Sequence, residues 1–168
     1  MRTFLVTVVA VVIAFLASPL VRADTKCAAG PVPPKDLGRW NAEQIANARL
    51  IVTIGRQRQV PDEALVIAVA TALQESSLRN LRGGDRDSIG LFQQRPSQGW
   101  GTPRQLSDPA YQTHKFYDKL LKVKGWRKMR LTEAAQAVQI SAFPEAYAKH
   151  TASATTLVGA LQAQPACS

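Results

Sequence analysis

Glu75 is the residue whose type and position most invite chemistry. It follows a run with no polar face, Ala64-Leu-Val-Ile-Ala-Val-Ala-Thr-Ala-Leu73, and sits in the triplet Gln74-Glu75-Ser76. A helix that is apolar all round is normally buried, and a carboxylate at its end is costly unless it is paired or used. Ala68, Thr71 and Ala72 share its helix face, so the carboxylate projects from a stripe of small side chains. Desolvation there raises the pKa and keeps the carboxyl protonated near neutrality, as a general acid requires. The competing arrangement is an ion pair with Arg79, Arg82 or Arg86, which would depress the pKa and make Glu75 structural.

The carboxylates placed to join it are Asp85 and Asp87, in a stretch from Arg79 to Gly101 that has no periodicity and is dense in turn residues. Their competing role is turn formation, since Asp bonds to its own backbone. A loop this long inside a small domain is usually functional or flexible. Gln94, Arg95 and Gln98 can donate hydrogen bonds from it; Phe92, Trp100, Tyr111 and Tyr117 offer aromatic faces. Trp100, between Gly99 and Gly101, is the best placed of these to line a groove, and Tyr117, mid-helix, reads as core. His114 and His150 are isolated, and Ser76 and Ser77 have no histidine partner pattern. A metal site or a Ser-His-Asp triad is therefore unsupported, and no cofactor is implied.

The elements that must position these groups are helical, and the fold class is mainly α. Asn41 with Gln44 forms a capping-box pattern opening a helix to about Gln59, with Ile45, Ala48, Ile51, Val52 and Gly55 on one stripe. Val60-Pro61-Asp62 opens the apolar helix that ends at Glu75-Ser76. A short hairpin or irregular loop is expected between Ser88 and Gln94. Ser107-Asp108-Pro109 caps a helix running to about Val123, with Gly125 as its stop. Leu131-Thr132 opens another through about Ile140; Phe143-Pro144 breaks it, and a last helix runs to about Ala163.

Residues 1–23 read as a secretory signal peptide. Arg2 precedes the apolar run Phe4–Ala17, which is shorter than the about 20 residues of a spanning helix. Ser18-Pro19 breaks that run, and Val21-Arg22-Ala23 offers small residues for cleavage. An uncleaved N-terminal anchor is the alternative. Residues 24–40 form a Pro- and Gly-rich arm, and 41–168 the domain proper. Cys27 and Cys167, the two cysteines, read as a disulfide in an exported chain, tying the ends for about 4–5 kcal/mol in the chain-entropy model; two free thiols are the alternative. The net charge of +9 suits an anionic surface such as a cell wall, or simple solubility. Scattered basic residues and the lack of a nucleic-acid motif argue against a nucleic-acid binder.

Gln74-Glu75-Ser76, then Gly90-Leu91-Phe92-Gln93, then Leu106-Ser107-Asp108-Pro109, taken in order, resemble the signature of the lysozyme-like superfamily. The likeness is nearest to its soluble lytic transglycosylase and goose-type lysozyme branch and covers about Asp62 to Lys149. It implies a lysozyme-like helical domain that cleaves the β-1,4 bond between N-acetylmuramic acid and N-acetylglucosamine in peptidoglycan. Glu75 would be the acid, Ser76 would hold the acid or the sugar, and Gln93 would line the groove. Gly90 would let the backbone pass under the saccharide, and Tyr147 would supply a phenol near the acid. The family's Ala-Tyr-Asn-Ala-Gly segment is here Ala137-Val138-Gln139-Ile140-Ser141, which keeps an amide and loses the Tyr and Gly. Such cleavage usually needs a second carboxylate. The transglycosylase route, in which one Glu closes a 1,6-anhydro ring, does not, and is favoured over a hydrolase using Asp85 or Asp87. A catalytically silent wall-binding module is the rival from another class. The implied partner is the glycan strand, for a secreted, wall-associated monomer that meets the membrane only through its signal peptide.

Overall fold

Asn41 opens the first helix through a reciprocal cap: its side chain accepts from the Gln44 N–H, and its own N–H donates to Gln44 Oε1, both at 2.9 Å. The structure, a computed structural model, describes residues 37–141 and 143–163. The leader, most of the arm and both cysteines, and so the expected disulfide, lie outside the described residues. Leu37 and Trp40 are buried, so the end of the arm docks on the domain.

The described residues are mainly helical: α1 Ala42–Gln57, α2 Asp62–Ser76, α3 Pro103–Leu106, α4 Pro109–Leu120, α5 Leu131–Gln139 and α6 Thr151–Gln162. The short α3, capped by Thr102 with Gln105, sits in a stretch whose periodicity gave no sign of it. The segment after Phe143 departs from a continuous last helix. It makes turns and a 3-10 turn at Ala148–His150 before α6 begins. None of the described helices is long and apolar enough to cross a membrane.

α2 is central and packs against α1, α4, α5 and α6. Ala64, Leu65, Ala68, Val69, Ala70, Thr71 and Ala72 are all fully buried, as an all-apolar helix requires. Its small residues let neighbours approach closely. Gly55 of α1 serves the same end, because a Cβ there would overlap Leu65 and the Tyr117 hydroxyl. That hydroxyl donates to the Ile51 carbonyl at 3.1 Å and locks α4 onto α1. Tyr117 is core, as its mid-helix position predicts.

The loop between α2 and α3 has no named strand. Its regular features are one antiparallel bridge, Ile89 with Gln94, where a short hairpin or irregular loop is expected, and a 3-10 turn at Pro96–Gln98. One buried amide ties the loop to α4. Gln112 of α4 accepts the Phe92 N–H at 2.9 Å and donates to the Leu106 carbonyl at 2.7 Å. Its backbone carbonyl accepts from the Gln94 side chain at 3.1 Å. Gly90 is explained here rather than by a passing saccharide. Its φ is +80°, and a Cβ would fall on the Gln112 carboxamide. Phe92 stacks on Phe116 with centroids 4.8 Å apart and is fully buried, so it anchors the loop in the core and presents no face to a ligand.

Gln112→Ala leaves the buried Phe92 N–H and Leu106 carbonyl without partners. Each costs about 1–3 kcal/mol, so the expected loss is about 2–6 kcal/mol of unfolding free energy, read from chemical denaturation.

Candidate active site

Glu75 lies in the last turn of α2. Behind it the chain turns sharply. Ser77 and Leu78 both take positive φ, 53° and 59°, while their N–H groups bond back to Leu73 and Ala72 at 3.1 and 3.0 Å. This turn carries the backbone away and leaves the Glu75 side chain facing a cleft of about 300 Å³. On the loop side the cleft is lined by Asp85, Arg86, Gln93, Arg95, Gln98 and Trp100, and on the α5 side by Gln139, Ile140 and Ser141.

The Glu75 carboxylate is not in an ion pair with any described residue. Arg79, Arg82 and Arg86, its candidate partners, do not reach it. Its Oε1 instead accepts the Tyr147 hydroxyl at 2.8 Å. Burial raises its pKa above the ordinary glutamate range, while hydrogen bonds from Tyr147 and Gln139 oppose the shift without reversing it. Tyr147 is fully buried, and burial with the neighbouring Glu75 raises its own pKa, so the phenol stays a donor.

The second carboxylate fares differently. Asp87 accepts from Arg95 Nε at 2.6 Å and from the Ser97 N–H at 2.8 Å. These bonds, the Ser97 backbone contact first, hold its carboxyl well below the ordinary range. It is a strut of the loop and a poor base for water. Asp85 does line the cleft, but its side chain is 92% exposed, and its nearest charged partner is Arg86 at 3.9 Å.

The expected sugar-binding residues divide. Gln93 lines the cleft at φ 47°, its amide braced on the Gly90 carbonyl at 3.0 Å. Arg95 and Gln98 line it too. Ser76 does not: it is buried, and its hydroxyl bonds to the Leu91 and Ala72 carbonyls at 2.7 and 3.1 Å, pinning the loop to α2. Gln94 does not either, because its buried amide turns inward to α4. Trp100 forms a wall of the cleft with only 3% exposure. Lys119 covers one ring face at 3.3 Å from the centroid, and Tyr111 bonds to its carbonyl at 3.2 Å. Tyr147 sets its phenol on the Glu75 carboxylate, the position the resemblance implies for it.

Gln139 and Arg86 are the cleft residues that the sequence left without a role of their own. The Gln139 amide donates to the Phe92 carbonyl at 2.8 Å, linking α5 to the loop beside the acid. Its Oε1 is buried without a protein partner. Ile140 follows at φ 54°, a left-handed conformation that a β-branched residue rarely adopts, and is 78% exposed. No family model matches the chain, and no curated protein matches it in sequence.

Because the folded state raises the pKa of Glu75, its ionisation subtracts from stability as pH rises from the ordinary glutamate value toward the raised one. Below that window both states are protonated and the penalty vanishes. Glu75→Gln should therefore melt higher than wild type at pH 7, with the gap closing by about pH 4. Tyr147→Phe removes a donor to the carboxylate, so the Glu75 midpoint moves further up, measurable by carboxyl-carbon NMR.

Proposed function

We propose that the chain is an exported, monomeric, wall-associated enzyme of lysozyme-like architecture. In this proposal it cleaves the β-1,4 bond between N-acetylmuramic acid and N-acetylglucosamine as a lytic transglycosylase. The observation that carries this reading is the Glu75 carboxyl: desolvated, held by the Tyr147 phenol, unpaired with any described cation, and open to a polar cleft. A glycan strand, rich in hydroxyl and acetamido groups, suits a cleft walled by Gln93, Gln98, Gln139 and Trp100.

In the proposed reaction the Glu75 proton passes to the glycosidic oxygen as the muramyl C1–O bond breaks. N-acetylglucosamine leaves with a free hydroxyl, and C1 carries oxocarbenium character. The Glu75 carboxylate, steadied by the Tyr147 hydroxyl, then takes the proton of the muramyl 6-hydroxyl while O6 bonds to C1. The product is a 1,6-anhydro ring, the acid returns protonated, and no water is consumed. One carboxyl performs both transfers, which fits a site where Asp87 is committed to Arg95 and Ser97 and Asp85 stands in solvent.

Mass spectrometry of digested cell wall should find anhydromuramyl ends; hydrated reducing ends alone would overturn the transglycosylase reading. Glu75→Gln should lower the rate about 10²–10⁴-fold or more, the usual worth of a positioned acid–base group. Asp85→Asn should change it less than about 3-fold; an equally deep loss would identify Asp85 as the base of a hydrolase. If Glu75→Gln binds wall as wild type does and neither releases fragments, the chain is a binding module.

A further inference from the structure

The cleft beside Glu75 carries one cation that the proposed cleavage does not use. Arg86 and Arg95 both line it. Arg95 is neutralised, its Nε 2.6 Å from Asp87. Arg86 is not: its contact with Asp85 is 3.9 Å long, its side chain is 71% exposed, and no described residue hydrogen-bonds its terminal nitrogens. Its backbone sits at φ 57°, an uncommon conformation for a non-glycine residue, held between the Asp87 clamp and the exposed Asp85. Across the cleft stands the bare side chain of Ile140. The opening is therefore lopsided, with a planar cation free to make two parallel bonds on the loop side and an apolar surface on the α5 side.

We infer that Arg86 forms a carboxylate-binding subsite that reads the acidic branch of the glycan. It would take either the free lactyl carboxylate of a muramyl unit or a carboxylate of a stem peptide attached there. The geometry favours a carboxylate because a guanidinium fork matches its two oxygens. Ile140 offers contact to the aliphatic part of the same branch. The inference rests on the glycan reading of the cleft and names which chemical feature of the strand is recognised. Asp85, a solvated anion at 3.9 Å, would compete weakly with the ligand for Arg86.

The test measures binding in the Glu75→Gln protein, so that its outcome is separate from whether the enzyme cuts. Three glycan tetrasaccharides are titrated calorimetrically: one with free lactyl carboxylates, one with these converted to carboxamides, and one bearing stem peptides. The carboxylate ligand should bind about 3- to 10-fold more tightly than the carboxamide, the range for a charge-assisted bond at a partly solvated site. Arg86→Gln should collapse that ratio toward one, Arg86→Lys should restore part of it, and added salt should shrink it. A ratio seen only with the peptide-bearing strand would assign the carboxylate to the stem. Equal binding of carboxylate, carboxamide and peptide forms, or a preference that survives Arg86→Gln, would overturn the subsite. A wild-type protein that shows the binding ratio but releases no anhydro-ended fragments would instead count against the proposed reaction and leave the subsite standing.

Discussion

The site depends on α2 being buried on every side from Ile67 to Leu73. Four helices surround it. A side chain emerging at the end of such an element inherits a low-dielectric surround on its helix side and a cleft on the other. Glu75 occupies that position, and desolvation sets its protonation. Pairing with a nearby arginine would have relieved the cost. The reversal at Ser77 and Leu78 turns the chain at Arg79 away from the carboxylate, and no described arginine pairs with it.

The loop that walls the cleft is held by side chains bonded to backbone rather than by strands. Ser76 fastens the Leu91 carbonyl to α2, Gln112 fastens Phe92 and Leu106 to α4, and Gln139 fastens the Phe92 carbonyl to α5. Three helices thus grip one tight turn, with the Phe92 ring as its apolar plug. Ser77, Leu78, Arg86, Gln93 and Ile140, all near this turn, hold positive φ without being glycine. Left-handed conformations at such residues cost of order 1–3 kcal/mol each and persist where the surroundings over-determine them. The grip supplies that over-determination, and the strain lies around the acid.

Much of this was legible in the residues. The apolar run marked a buried helix, Asn41 with Gln44 marked its neighbour's start, and Asp108-Pro109 marked α4. The acid stood out because a carboxylate contradicts its own helix. The loop polars were not legible, for one physical reason. A Ser or Gln can satisfy its hydrogen bonds with solvent, a ligand or buried backbone, and composition does not distinguish these. Ser76 and Gln94 chose backbone; Gln93, one residue from Gln94, faces the cleft. The packing need for glycine at position 90 was hidden likewise, because its close neighbour Gln112 is twenty-two residues away in sequence and on another helix. Gln112 itself carried a weak signal, being an amide on the buried side of an amphipathic helix that nothing local could satisfy.

The requirements of the loop bear on the chemistry. A turn with no strand pairing needs internal ties, and the Asp87–Arg95 pair with the Ser97 N–H is one of them. Committing Asp87 in this way takes it out of acid–base duty and leaves Asp85, the carboxylate that lines the cleft, in solvent. Rigidity of the cleft and a two-carboxylate mechanism therefore draw on the same residues. A loop built this way is compatible with a single acid acting twice, because a ring closure needs a fixed sugar more than it needs a second base. The same ties leave Arg86 as the uncompensated cation of the cleft wall: Arg95 answers Asp87, and no described guanidinium pairs with Glu75.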